Sequence, residues 1–104
     1  ESEYDLVISS MTFHHFQHPD KVLKDTVRSL KSGGKVCIGD LDEEDGSFHT
    51  DNAADDVKHF GFKKSDFDQW LKNAGFINTV VEEIFKIDKN DTQYPVFLAY
   101  GEKP

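Results

Sequence analysis

The sequence predicts an α/β fold: two parallel strands joined by a helix, then a second helix and an antiparallel C-terminal hairpin. Three observations predict it. Leu6-Val7-Ile8 and Val36-Cys37-Ile38 are short apolar runs without polar alternation, the pattern of strands buried on both faces of a parallel sheet. Between them Val22, Leu23, Val27 and Leu30 recur at helical spacing, and a strand–helix–strand unit makes its two strands parallel. Residues 76–87 and 96–100 are two further strand-like runs, and residues 88–92 supply the polar turn that returns the chain antiparallel.

Each element has its own signals. The first strand stops at Ser9-Ser10, and Met11, Thr12, His14 and His15 follow it. Pro19 suits the first turn of the helix, where its missing N–H costs nothing. Gly33-Gly34 is the expected helix end, since glycine takes the left-handed position after a helix without a Cβ clash. Residues 40–61 form a long acidic connection, and long connections in compact domains are usually functional or mobile. Lys63 or Ser65 caps the second helix, Asp66 and Asp68 favour the positive end of its dipole, and Gly75 terminates it. Phe67, Trp70, Leu71 and Ala74 form its buried stripe. Ile77, Thr79, Val81, Phe85 and Ile87 share one face of the next strand, where Glu83 marks a wet or bulged position. Pro95 stands at the start of the last strand, a position that tolerates a missing donor.

Composition narrows the function classes. The 104 residues suffice for one core, and the net charge of −8 comes without any basic stripe. A surface that tracks phosphates needs clustered Lys and Arg, so no nucleic-acid partner is expected. No apolar run approaches the roughly 20 residues of a membrane span, and no basic segment precedes an apolar one as in a signal peptide. Cys37 is the single cysteine and reads as a small buried hydrophobe, compatible with a reducing compartment, so a cytoplasmic protein is expected.

Chemistry concentrates at one place. His14, His15 and His18 follow the first strand, and His49 and His59 lie in the connection after the second. Parallel strands discharge both sets at the same carboxyl edge, where ligands bind in open α/β sheets. His14, His49 or His59 is a candidate general base, because imidazole titrates near neutrality. His14 and His15 are adjacent, so they point about 100° apart and only one faces a ligand. A metal site drawn from these histidines with Asp40 or Asp42 matches no known ligand spacing, and no metal is expected. Neither a nucleophile elbow nor a glycine-rich phosphate loop is present.

Residues 5–16, Asp-Leu-Val-Ile-Ser-Ser-Met-Thr-Phe-His-His-Phe, resemble the fourth-strand motif of class I S-adenosylmethionine-dependent methyltransferases of the small-molecule type. Residues 30–36, Leu-Lys-Ser-Gly-Gly-Lys-Val, resemble that family too, with Ser32 where proline is common. The resemblance implies that residues 1–104 are a single partial domain, the C-terminal half of a Rossmann-like methyltransferase sheet, with residues 41–61 as its substrate-side loop. It implies S-adenosyl-L-methionine as cofactor, with Ser9, Ser10, Met11 and His15 on the cofactor side and Asp40 and Phe48 on the substrate side. The implied activity is methyl transfer to a small-molecule acceptor, with this half by itself inactive. A stand-alone, non-catalytic α/β binding module is the alternative. The expected partners are the acceptor, the missing N-terminal half of the domain and a second copy. That last expectation follows from strand order. If the final strand lies between the second strand and the Ile77–Ile87 strand, right-handed crossovers put both helices on one face and leave the other bare. A bare apolar face invites homodimer formation.

Overall fold

The computed structural model of the protein describes residues 2–44, 59–89 and 91–104. Strand β1 (Tyr4–Ser10) leads through a 3-10 turn (Phe13–His15) into helix α1 (Pro19–Ser29), and β2 (Leu30–Leu41) follows at once. Helix α2 (Lys64–Ala74), β3 (Ile77–Lys89) and β4 (Thr92–Glu102) complete the chain. The sheet order is β1-β2-β4-β3, with β1 parallel to β2 and β4 antiparallel to both its neighbours. This is the mixed α/β fold and the strand order expected.

Both helices pack on one face. Leu23 from α1 and Phe67 and Leu71 from α2 are fully enclosed against Val36, Ile38, Phe97 and Ala99 of the central strands. Phe67 is the hub, with its ring 5.7 Å from Phe13, 5.4 Å from Phe62 and 5.3 Å from Phe97. Trp70 packs edge-on against Phe62 as part of this core.

Three local expectations are corrected. Helix α1 ends at Ser29, four residues before Gly33, because Leu30 turns extended (φ −88°, ψ 145°) and enters β2 beside Tyr4. Gly33 is still left-handed (φ 81°), but it serves a turn within the strand, where its N–H donates to the Lys103 carbonyl. Pro95 sits inside β4, opposite Lys86, and its carbonyl accepts from the Asp42 N–H. A register shift between Glu83 and Phe85 divides β3, so Val81 faces the helices while Phe85 and Ile87 face the other side.

The second sheet face carries no helix among the described residues. Leu6 is 55% exposed and Ile8 73%, so β1 is not buried on both faces as its apolar run suggests. Ile8, Cys37, Tyr100 and Val80 form one cross-strand row on this side, and Ser10, Gly39, Leu98 and Glu82 the next. The Tyr100 phenol donates to Glu102, and that bond pushes its pKa up to about 12. Near the carboxyl edge Leu41, Tyr94 and Val96 make a small second core with Met11 and Ile87. The strands span a face of roughly 700 Å², from spacings of about 4.8 Å between strands and 3.3 Å per residue.

The hub makes a direct test. Phe67→Ala removes a fully enclosed ring from the contact of both helices with the sheet and should cost about 3–5 kcal/mol in denaturant unfolding. A loss below about 1 kcal/mol would show that the helix layer is not anchored there.

Candidate active site

The carboxyl edge of β1 and β2 is where the described polar groups converge. β1 ends at Ser10, and Met11 takes a left-handed conformation (φ 57°) that is uncommon for a residue with a side chain. Its N–H still donates to the Gly39 carbonyl at 2.8 Å, so the turn starts while the strand pairing holds. The Thr12 hydroxyl donates back to the Ser10 carbonyl at 3.1 Å. The Met11 side chain leans on the second core, so this crest is tied to the β3–β4 hairpin as well as to β2.

Directly after this turn the two adjacent histidines separate. His14 points inward and is 2% exposed, whereas His15 is exposed. Their rings stay 4.4 Å apart. The inward ring meets Asp40, which is completely buried at the end of β2. Asp40 Oδ1 accepts from His14 Nδ1 at 2.7 Å and from the Leu41 N–H at 2.7 Å, and Oδ2 accepts from the His14 N–H at 3.1 Å. A buried carboxylate is stable only with such a set of donors around it. The acceptor-only carboxylate also fixes the ring proton on Nδ1.

The third piece arrives from the far end of the acidic connection. The His59 N–H donates to the His14 carbonyl at 2.9 Å, the His59 ring lies 5.2 Å from Phe62, and its Nε2 lies 3.4 Å from the Gln17 carbonyl. The base of this connection is closed by backbone bonds from Glu44 to Phe60 and from Phe62 to Leu41, and by a parallel bridge between Asp42 and Phe62. Lys64 pairs with Asp42 beside it. Gly61 (φ 76°) is required here, since a Cβ would stand 2.1 Å from the Asp42 carbonyl oxygen.

A groove of about 290 Å³ opens on the helix-free face below this edge. Ser9, Ser10, Met11 and Gly39 form one side, and Ile84 and Val96 belong to the opposite wall. Of the residues singled out in the sequence, His14, Asp40 and His59 are joined by hydrogen bonds, and Ser9, Ser10 and Met11 share the groove. His15 stands beside His14. Phe48 and His49 lie outside the described residues. The hairpin wall and the Gly61 neck escaped the sequence reading, although a glycine flanked by Phe60 and Phe62 at the end of a long loop was a signal for the neck. Among the described residues no three His, Cys, Asp or Glu side chains gather as a metal site.

Comparison with known proteins converges on one family. Residues 1–81 match the family model described as a methyltransferase domain. The chain is 32% identical over 83 residues to phosphoethanolamine N-methyltransferase 1 of Zea mays, covering 77% of this chain and 16% of that protein. It superposes on a Haemonchus contortus phosphoethanolamine N-methyltransferase 2, solved with phosphomonomethylethanolamine and S-adenosylhomocysteine, with TM-score 0.77 at 18% identity, covering 99% of this chain and 34% of that one. A Haloferax volcanii methyltransferase solved with its Trm112 activator gives TM-score 0.77 at 16% identity, covering 100% and 56%. The chain spans between 16% and 53% of the length of three curated relatives.

The neck gives the prediction for this site. Gly61→Ala should destabilise by at least about 2 kcal/mol, from the left-handed backbone and the collision with Asp42 together. An unchanged melting temperature would mean that the base of the connection opens freely.

Proposed function

The chain belongs to the class I S-adenosylmethionine-dependent methyltransferases, and on that premise we propose that it is the second half of a domain that methylates a small molecule. One observation carries the proposal. The groove bordered by Ser9, Ser10 and Met11, the His14 imidazole bound to Asp40 and the His59 main chain bonded to the His14 carbonyl stand at one carboxyl edge, where an α/β enzyme holds its cofactor and its acceptor. Relatives solved with S-adenosylmethionine or S-adenosylhomocysteine support that cofactor.

The residues present suit it. The Ser10 hydroxyl, the backbone at Ser9 and Gly39 and the apolar flanks of Met11 and Leu98 match a short aliphatic chain with polar ends. Whole small-molecule sites occupy roughly 300–1,000 Å³, so a groove of about 290 Å³ accounts for a part of a nucleoside-containing cofactor. We therefore assign Ser9, Ser10 and Met11 to the cofactor side, carry His15 to that side and Phe48 to the substrate side from the family resemblance, place Asp40 beneath the substrate side without direct contact, and give the rest of the cofactor site to the other half of the domain. When bound, S-adenosylmethionine supplies a methyl group activated by its sulfonium for transfer to a nucleophile. The chain's own work is to align the acceptor and take its proton. Among His14, His49 and His59 we favour His59 for the proton, because it is half-buried near the strand exits while His14 is enclosed with Asp40. The single thiol fits a reducing compartment, and the proposed place of action is the cytoplasm.

The helix-free sheet face belongs to the same proposal. In the complete domain the other half covers it, and in the isolated chain a second copy does. Two measurements test these readings. Titration calorimetry on the 104-residue chain should find S-adenosylmethionine binding weaker than about 100 μM, and micromolar affinity would sink the shared-site reading. Sedimentation at low micromolar concentration should find the chain dimeric or larger, and a monomer that binds no hydrophobic dye would overturn the covered-face reading.

A further inference from the structure

The proposed function leaves the buried pair of His14 and Asp40 without a direct task, since neither side chain is open to an acceptor. A pair like this is an expensive way to stabilise a core. Replacing buried ion pairs with apolar residues is often neutral or favourable, so stability alone gives little reason for it. Its connections are more specific. Asp40 belongs to β2, receives the Leu41 N–H from its own strand, and reaches across to both the backbone and the ring of His14. His14 belongs to the turn after β1, and its carbonyl receives the His59 N–H at 2.9 Å. Three segments distant in sequence are thus joined through the Asp40 carboxylate and the ring and main chain of His14.

We propose that Asp40 and His14 form a positioning clasp that fixes the His59 main chain and so holds its imidazole between Phe62 and the Gln17 carbonyl, so that both are positioning residues and neither is the proton acceptor. The two Asp40 oxygens hold His14 at two points, ring and main chain, which leaves the residue no freedom to rotate about either. The fixed peptide then aims its carbonyl at the His59 N–H, and the Phe62 ring, itself enclosed in the core, limits the His59 ring from one side. The main chain of His15 follows His14 directly, so the same clasp sets where the exposed imidazole emerges. Orientation of an imidazole by a carboxylate partner is common where the ring must present one nitrogen. Here the effect passes through a carbonyl to a second imidazole.

This inference rests on the reading of the edge as a methyltransferase site, but its test does not use cofactor or acceptor. NMR on the intact protein compares the wild type with His14→Ala, His14→Asn and Asp40→Asn. Asparagine places a donor where Nδ1 stands, so it keeps the bond to Asp40. In His14→Ala and Asp40→Asn the His59 amide should exchange about tenfold faster, and the His59 ring protons should lose the shift imposed by Phe62. Amides of the core, such as Leu71 and Ala99, should keep their protection, and His14→Asn should restore His59 to within about threefold of wild type. The inference is overturned if His59 is unaffected, if asparagine is no better than alanine, or if protection falls equally throughout the core. Should His14→Ala fail to fold, Asp40→Asn against His14→Asn decides alone. Failure of the complete domain, with its other half present, to bind S-adenosylmethionine would sink the functional reading and leave this one standing.

Discussion

The parallel pairing of β1 with β2 is the constraint on which the rest depends. Val7 lies beside Val36 and Ser10 beside Gly39, so the two strands run out together at one edge. A parallel pair forces the chain to cross back over the sheet, and α1 makes that crossing in eleven residues. The crossing buries Leu23 and leaves both strand exits on the same rim. Had β2 returned antiparallel, Asp40 would lie at the opposite end from His14. The polar chemistry of the edge is a consequence of this one pairing.

Much of that was legible in the sequence, because it rests on local signals. Apolar runs of three, a helical stripe and a polar turn identify the elements, and, once the strand order is assumed, one handedness rule puts both helices on the same face. The failures have physical reasons. Leu6 and Ile8 read as buried because their neighbours in sequence say nothing of whether a helix layer exists to cover them. Gly33-Gly34 read as a helix stop, since the same left-handed freedom serves a helix end and a strand turn equally well. Which histidine turns inward was open, since the choice is made by Asp40, 26 residues away. Topology brings those residues to one rim, but only side-chain packing selects between them.

The charge at this rim is handled economically. Asp40 spends its two oxygens on three N–H donors, and Asp42 meets Lys64 at the start of α2. No side chain caps that helix, since Lys63 stands at the N-cap, so its first turn relies on Asp66 and on the Phe67 N–H bonding the Lys63 carbonyl. The helix is therefore held more by Phe67 and Leu71 than by its ends, which agrees with the general dominance of packing over end effects in short helices.

The closed neck at residues 41–44 and 59–62 has a consequence for the connection it closes. Its two ends are bolted together by backbone bonds and by the Asp42–Phe62 bridge, so what lies between them begins and finishes at fixed points. Lengthening a loop whose ends are already fixed costs little, about 0.6 kcal/mol for each doubling. By this entropy alone, a change of length between the fixed ends is a small perturbation of the sheet and the crossing helix. The neck thus separates the stability of the scaffold from the length of what it carries, with Gly61 the position where the two meet.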